Sequence, residues 1–209
     1  MKLTAPILAA SLVAWCAPGA SGATLVRDLG QGLTYFRVHV LPADIPSSPP
    51  GPASPCVLDL RFAKADTPAA AAMKAWIRFT ASARDPVFVL ENSDTSPSLL
   101  AAIAGGSAGI IVLAPESEKL SPDVAVRVAP DTDRRAYDAL EKGAPVDLLL
   151  SDFPDKARVD EAYLEKEHIP DSDSPDSASD KPDPPRPLVD ALLQRAVQLH
   201  RGLHALKRV

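Results

Sequence analysis

Between residues 33 and 151 the sequence alternates strand-length apolar runs with helix-length stretches, and few folds accept that rhythm. In 33-LTYFRVHVL-41, Phe36, Val38 and Val40 alternate with Tyr35, Arg37 and His39, the two-residue period of a half-buried strand. The run 56-CVLDLRF-62 is apolar enough for a central strand. A helix is expected next, with Thr67 as N-cap, Pro68 at the first helical position and Met73, Trp76, Ile77 and Thr80 on one buried face. The pattern then gives a strand at 86-PVFVLE-91, a helix near Pro97 to Ala104 stopped by Gly105-Gly106, and strands at 108-AGIIVLA-114 and 123-DVAVRVA-129. It continues with a helix over 131–142 that stops at Gly143, a strand at 146-VDLLLS-151 and a helix around 155–167. Strands alternating with short helices define an α/β domain, placed at residues 24–169.

The flanks have different compositions. Residues 1–23 combine Lys2, a short apolar run from Leu3 to Ala17 and the small residues 20-ASGA-23, which is the form of a signal peptide and predicts export, periplasmic or secreted. Cys16 lies in that segment, so Cys56 stands alone after it and no internal disulfide is expected; a buried, inert thiol is its expected role. The segment 42-PADIPSSPPGPASP-55 holds six prolines in fourteen residues, a density that no regular element survives. Residues 170–187 hold six prolines, five aspartates and four serines, and are expected to form a disordered acidic linker, since little there can be buried to offset ordering entropy.

Residues 188–209 change character again. Val189, Leu192, Ala196, Leu199, Leu203 and Leu206 follow the 3–4 spacing of a helical seam, and four Lys/Arg against one Asp make the helix basic. At about three heptads with Gly202 inside, such a helix is marginal alone and needs a surface. A protein or peptide partner, a second copy and the chain's own domain are the open choices. An anionic membrane surface is less favoured, because no Trp or Phe marks the apolar face.

A net charge of −5 with no dense basic stripe argues against nucleic acid. His200 and His204 have metal-ligand spacing on a helix but no acidic or cysteine ligand beside them, so they read as a polar face; no metal and no cofactor are expected. Asp59 and Asp94 form a candidate carboxylate pair, although an aspartate beside Arg61 also marks an ordinary strand end.

The order of these stretches resembles a known family. A strand ending Asp59-Leu60-Arg61, a later strand followed by 94-DTSPSLL-100 at a helix start, 121-SPDVAVRV-128 and the helix 131-DTDRRAYDALEKG-143 are together similar to the core of the tail-specific (C-terminal processing) serine peptidases. The resemblance spans residues 30–145. It implies a ClpP/crotonase-like fold, a mixed sheet with flanking helices, and carries the nucleophile position onto Ser96 and the general base onto Lys119.

The chain departs from that family where chemistry is done. Pro97 follows Ser96, Lys119 sits in the acidic turn 115-PESEKLS-121, and the family's glycine-rich oxyanion turn is replaced by Phe62-Ala63-Lys64-Ala65-Asp66. Oxyanion donors are worth about 3–4 kcal/mol each, and a β-carbon disfavours the backbone they need. Ser96 also has a plain structural role open to it, since Ser/Thr-Pro recurs at Thr67-Pro68 and Ser121-Pro122 and serine before proline is a normal N-cap. The expectation is an exported, non-catalytic, peptidase-like binding module. Two other functions stay open: a serine peptidase using Ser96 and Lys119, and a scaffold acting through the C-terminal helix.

Overall fold

The computed structural model describes residues 25–46, 54–117, 119–150 and 187–206. The expected signal peptide, half of the proline-dense loop, the helix around 155–167 and all of the linker but Pro187 lie outside the described residues.

Six strands form one mixed sheet: β1 (Leu25–Asp28), β2 (Thr34–Arg37), β3 (Cys56–Asp59), β4 (Val87–Leu90), β5 (Ile110–Pro115) and β6 (Val124–Val126). Their spatial order is their chain order, β1 antiparallel to β2 and every later pair parallel. The fold is therefore α/β, in keeping with the alternation. β1 is not foreshadowed in the sequence; it pairs through a tight Gly30-Gln31-Gly32 turn in which all three residues have positive φ.

Strand order decides what covers each face. Each step from β3 to β4 to β5 moves one place in the same direction, and right-handed crossovers then put both connecting helices on the same face. These are α1 (Thr67–Thr80) and α2 (Pro97–Ile103), which pack on each other. Beneath them lie Phe36, Val38, Cys56, Leu58, Leu60, Val87, Val89 and Val112. The opposite face gets no crossover helix, so its cover must come from the chain beyond β6: α3 (Pro130–Glu141), α4 (Val146–Leu149) and α5 (Ala191–Ala205). Leu33, Val57, Phe88, Leu90 and Leu113 meet Leu140, Leu149, Leu192, Leu193, Ala196 and Val197 there.

Several expectations are corrected. The N-cap of α1 is Asp66, not Thr67: its carboxylate accepts from Ala69 N at 2.8 Å, which leaves Pro68, with no N–H to satisfy, in the first turn. The apolar stretch from Val146 is not a strand but the one-turn helix α4 (Val146–Leu149): Asp147 and Leu148 are both exposed, while Val146 and Leu149, three apart, turn inward. Trp76 is only half-buried, its indole N–H donating to the Pro46 carbonyl while its ring meets Phe36 edge-on. Of the surfaces left open for the C-terminal helix, the chain's own sheet takes it, with Leu192, Leu193, Ala196 and Val197 buried there. His200, expected on a polar face, is buried too, with its ring nitrogen 3.2 Å from the Gln31 carbonyl. Burial holds it below the usual histidine range despite that contact, and His204 and Arg201 lower it further.

One glycine fixes the join between β5 and the turn after α1. Gly109 has φ +83°, and a β-carbon there would strike the Ser82 backbone.

Candidate functional site

In open parallel sheets, ligands gather at the carboxyl ends of the strands. Here that edge carries nearly every buried charge. β2 and β3 turn Tyr35, Arg37, Asp59 and, just beyond the strand, Arg61 to the face under α3 and α5, because alternate residues share a face.

Arg61 is the hub. It is fully buried and holds Asp59 with Nε to Oδ1 at 3.0 Å and Nη2 to Oδ2 at 2.7 Å, a two-toothed grip. Its Nη1 reaches Asp133 Oδ1 at 2.7 Å, and its Nη2 reaches Asp190 Oδ2 at 2.8 Å. Asp133 stands in the first turn of α3, and Asp190 is the N-cap of α5, accepting from Leu193 N at 3.0 Å. Two helix N-termini therefore converge on a cation, each bringing an aspartate between itself and the guanidinium.

The charge nearly balances. Asp59, Asp133 and Asp190 oppose Arg61 and Arg37, leaving one formal negative charge. Two helix N-termini offer about half a positive charge each. Burial alone would raise the Asp59 carboxyl, but Arg61, then Arg37 and the Tyr35 hydroxyl, outweigh it and hold it below the usual carboxylate range. Burial also lowers Arg61, and Asp190, Asp59 and Asp133 reverse that effect and carry it well above its ordinary value. Tyr35 donates to Asp59 Oδ2 at 2.7 Å and accepts from Arg37 Nε at 3.0 Å. Arg37 lies 3.9 Å over the Tyr137 ring, which replaces hydrogen bonds for its buried Nη atoms.

Above this network opens a cleft of about 480 Å³, lined among others by Phe62, Asn92, Asp94, Glu116, Asp131 and Arg134. Its floor is shared with the network: Asn92 Nδ2 donates to Asp133 Oδ2 at 3.1 Å, while Asn92 Oδ1 accepts from the amides of Asp94 and Thr95. Phe62 shapes the wall with a left-handed backbone, φ +62°, which glycine would adopt more easily. The expectation that a β-carbon would keep this turn from an unusual backbone is thus corrected. Its ring is held by Tyr137, centroids 4.8 Å apart, and by the Arg134 guanidinium at 4.5 Å.

The residues singled out in the sequence are not brought together. Ser96 occupies the N-cap position of α2 through its backbone, its carbonyl accepting from Leu99 and Leu100. Its hydroxyl makes no capping bond and instead lies 3.3 Å from the Ser98 hydroxyl, which donates to the Ala65 carbonyl. Lys119 is exposed, with its backbone N–H on Ser117 Oγ, and lines a second cavity that does not include Ser96. Asp94 lines the cleft while Asp59 lies in the network, so they do not act as a pair. Cys56 is buried and its thiol is pushed up to about 12 by burial.

Asp133, Asp190, Asn92 and Glu91 have no signal in the sequence that marks them out. Glu91 comes directly after β4, is 6% exposed, and burial followed by the Asp123 charge pushes its carboxyl up to about 7. A carboxyl raised on folding leaves stability intact below its unfolded value, near 4.5, and removes it as pH climbs toward 7. Glu91→Gln is therefore expected to raise stability at pH 8 by roughly 2 kcal/mol, allowing for its residual solvent contact, and to change little at pH 4. Urea midpoints at the two pH values measure it.

Among the described residues no group of three or more His, Cys, Asp or Glu could hold a metal ion, and no helix is long and apolar enough to cross a membrane. No family model, curated protein or solved structure matches the chain.

Proposed function

We propose that this chain is an exported binding module, a non-catalytic relative of the tail-specific serine peptidases, that takes a peptide segment in the cleft at the strand ends. The observation that carries the proposal is the locked floor. Asn92 and Asp133 face the cleft while the Arg61 network fixes them from behind, and preorganisation of that kind lowers the entropy lost on binding. Asp94, Glu116 and Asp131 are exposed along the cleft, which favours a ligand with basic side chains, and the Phe62 ring offers an apolar contact.

The family assignment and its ClpP/crotonase-like fold belong to the same proposal. Their support is local: Asp59 ends β3 with Leu60-Arg61 just beyond it, and Ser96 opens the helix after β4, the order on which the resemblance rests. The Ser96 hydroxyl bonded to Ser98 favours the binding function over the peptidase.

The test pairs two measurements on the full chain. A fluorescent peptide alternating lysine with leucine should bind, and Asp131→Asn together with Asp94→Asn should weaken it about tenfold at low salt. Hydrolysis of a fluorogenic protein substrate should be at background for both the parent and Ser96→Ala. Peptide affinity untouched by the two asparagines would remove the cleft from the proposal, and turnover lost in Ser96→Ala would restore the peptidase.

A further inference from the structure

Glu91 has no place in the Arg61 network, and its side chain goes the other way. Along β4, Val87 and Val89 face α1 and α2 while Phe88 and Leu90 face α5, so the next residue points to the α2 side. There it lines a cavity of about 300 Å³ with Leu100, Ile103 and Ala104 of the α2 end, Val112 of β5, and Leu120. Its backbone N–H is bonded to Leu113, and its carboxylate has neither hydrogen bond nor ion pair among the described residues. Glu91 as a residue is only 6% exposed, so its carboxylate sits in a confined, partly desolvated place where a counter-charge would be worth more than in open water.

We propose that this cavity binds an organic cation the size of a lysine or arginine side chain, with the Glu91 carboxylate as its counter-ion. The walls suit an apolar stem, and the volume sits at the small end of the roughly 300–1,000 Å³ usual for ligand sites. The last turn of α2 lines the cavity, and helix carboxyl ends favour positive charge. Among the described residues the charged groups lining the cavity with Glu91 are Asp123 and Lys119, both from the segment after β5; α2, its Gly105-Gly106 stop and Val112 bring none. Asp123 already accepts from Val112 N at 2.8 Å and stays in place to share the cation. Lys119 is exposed and stands as a competing cation. The site adjoins the cleft at Leu120, which lines both, but its charged groups Glu91, Lys119 and Asp123 are not among the cleft's lining residues, and it does not depend on the cleft's ligand.

Binding a cation favours the ionised carboxylate, so it must lower the Glu91 titration from its raised position near 7 and release a proton at neutral pH. Affinity then strengthens with rising pH, about tenfold per unit between the bound and free midpoints, and levels off above 7.

The experiment tracks the Glu91 carboxyl carbon by NMR in the full chain from pH 4 to 9, with butylammonium chloride against sodium chloride at equal ionic strength. Butylammonium should lower the midpoint by at least one unit and shift the amides of residues 100–106. Glu91→Gln should lose those amide shifts. Lys119→Met, a surface change, should tighten binding severalfold. A midpoint equal in the two salts would overturn the proposal. So would a midpoint raised by propionate, since that would make the site an anion site built on Lys119 and a protonated Glu91.

Discussion

Truncation before Leu188 is expected to unfold the domain, although the helix it removes reads as a detachable tail. The sequential strand order leaves one sheet face without crossover helices, and α5 is the longest element that covers it. Removing it takes away Leu192, Leu193, Ala196 and Val197 and exposes Phe88 and Leu113 beneath them. Burial of a large aliphatic side chain stabilises by about 1.5–3 kcal/mol, so the helix contributes an amount comparable to the roughly 5–15 kcal/mol that holds a typical domain together. Asp190 is lost as well, and with it one of the three carboxylates on Arg61. A chain of residues 24–187 should show no cooperative urea transition and should bind a hydrophobic dye. If it kept its midpoint and only lost mass in solution, the scaffold function would gain and the layer argument would fail.

The same helix marks where sequence patterning stops being informative. The α/β alternation is legible because each strand is a short apolar run bounded by turn residues, and periodicity reports burial directly. β1 escapes it because its burial pattern is one half-buried residue and three exposed, which leaves no alternation to detect. The seam on α5 is legible as a need for a surface, but sequence spacing cannot say whose surface. The Arg61 hub is legible only in part. Asp59 and Arg61, two apart in an apolar strand, must share a buried face, yet Asp133 and Asp190 lie 72 and 129 residues from Arg61 and join it only through the fold. Glu91 looks like an ordinary strand end, because neither its missing partner nor the cavity beside it has a local signature.

Replacing Arg61 with methionine should be the most damaging single change in the protein. The substitution keeps an apolar stem but strips Asp59, Asp133 and Asp190 of the one cation that ion-pairs with all three, leaving only Arg37, which reaches Asp59 through the Tyr35 hydroxyl. Breaking a buried ion pair by removing one partner costs about 3–5 kcal/mol, and here one partner serves three. Lysine should rescue little, since a single ammonium cannot reproduce the planar fork that reaches all three carboxylates. The pH dependence separates this electrostatic cause from lost packing. In the parent, Asp59 is held below its unfolded value, so its contribution is full at neutral pH and is lost as pH falls through the folded value. In Arg61→Met the Asp59 carboxyl stays buried but loses the partner that chiefly holds it down, so it should titrate higher than in the parent and the variant should lose least in acid and more as pH rises. Urea midpoints should therefore lie far apart at pH 7.5 and draw together near pH 4.5. Adding Asp59→Asn, Asp133→Asn and Asp190→Asn to Arg61→Met should recover much of the loss at pH 7.5, because neutral amides no longer need the cation. A gap between parent and Arg61→Met that stayed constant across this range would mean that Arg61 acts by filling space, and the preorganised floor of the cleft would lose its physical basis.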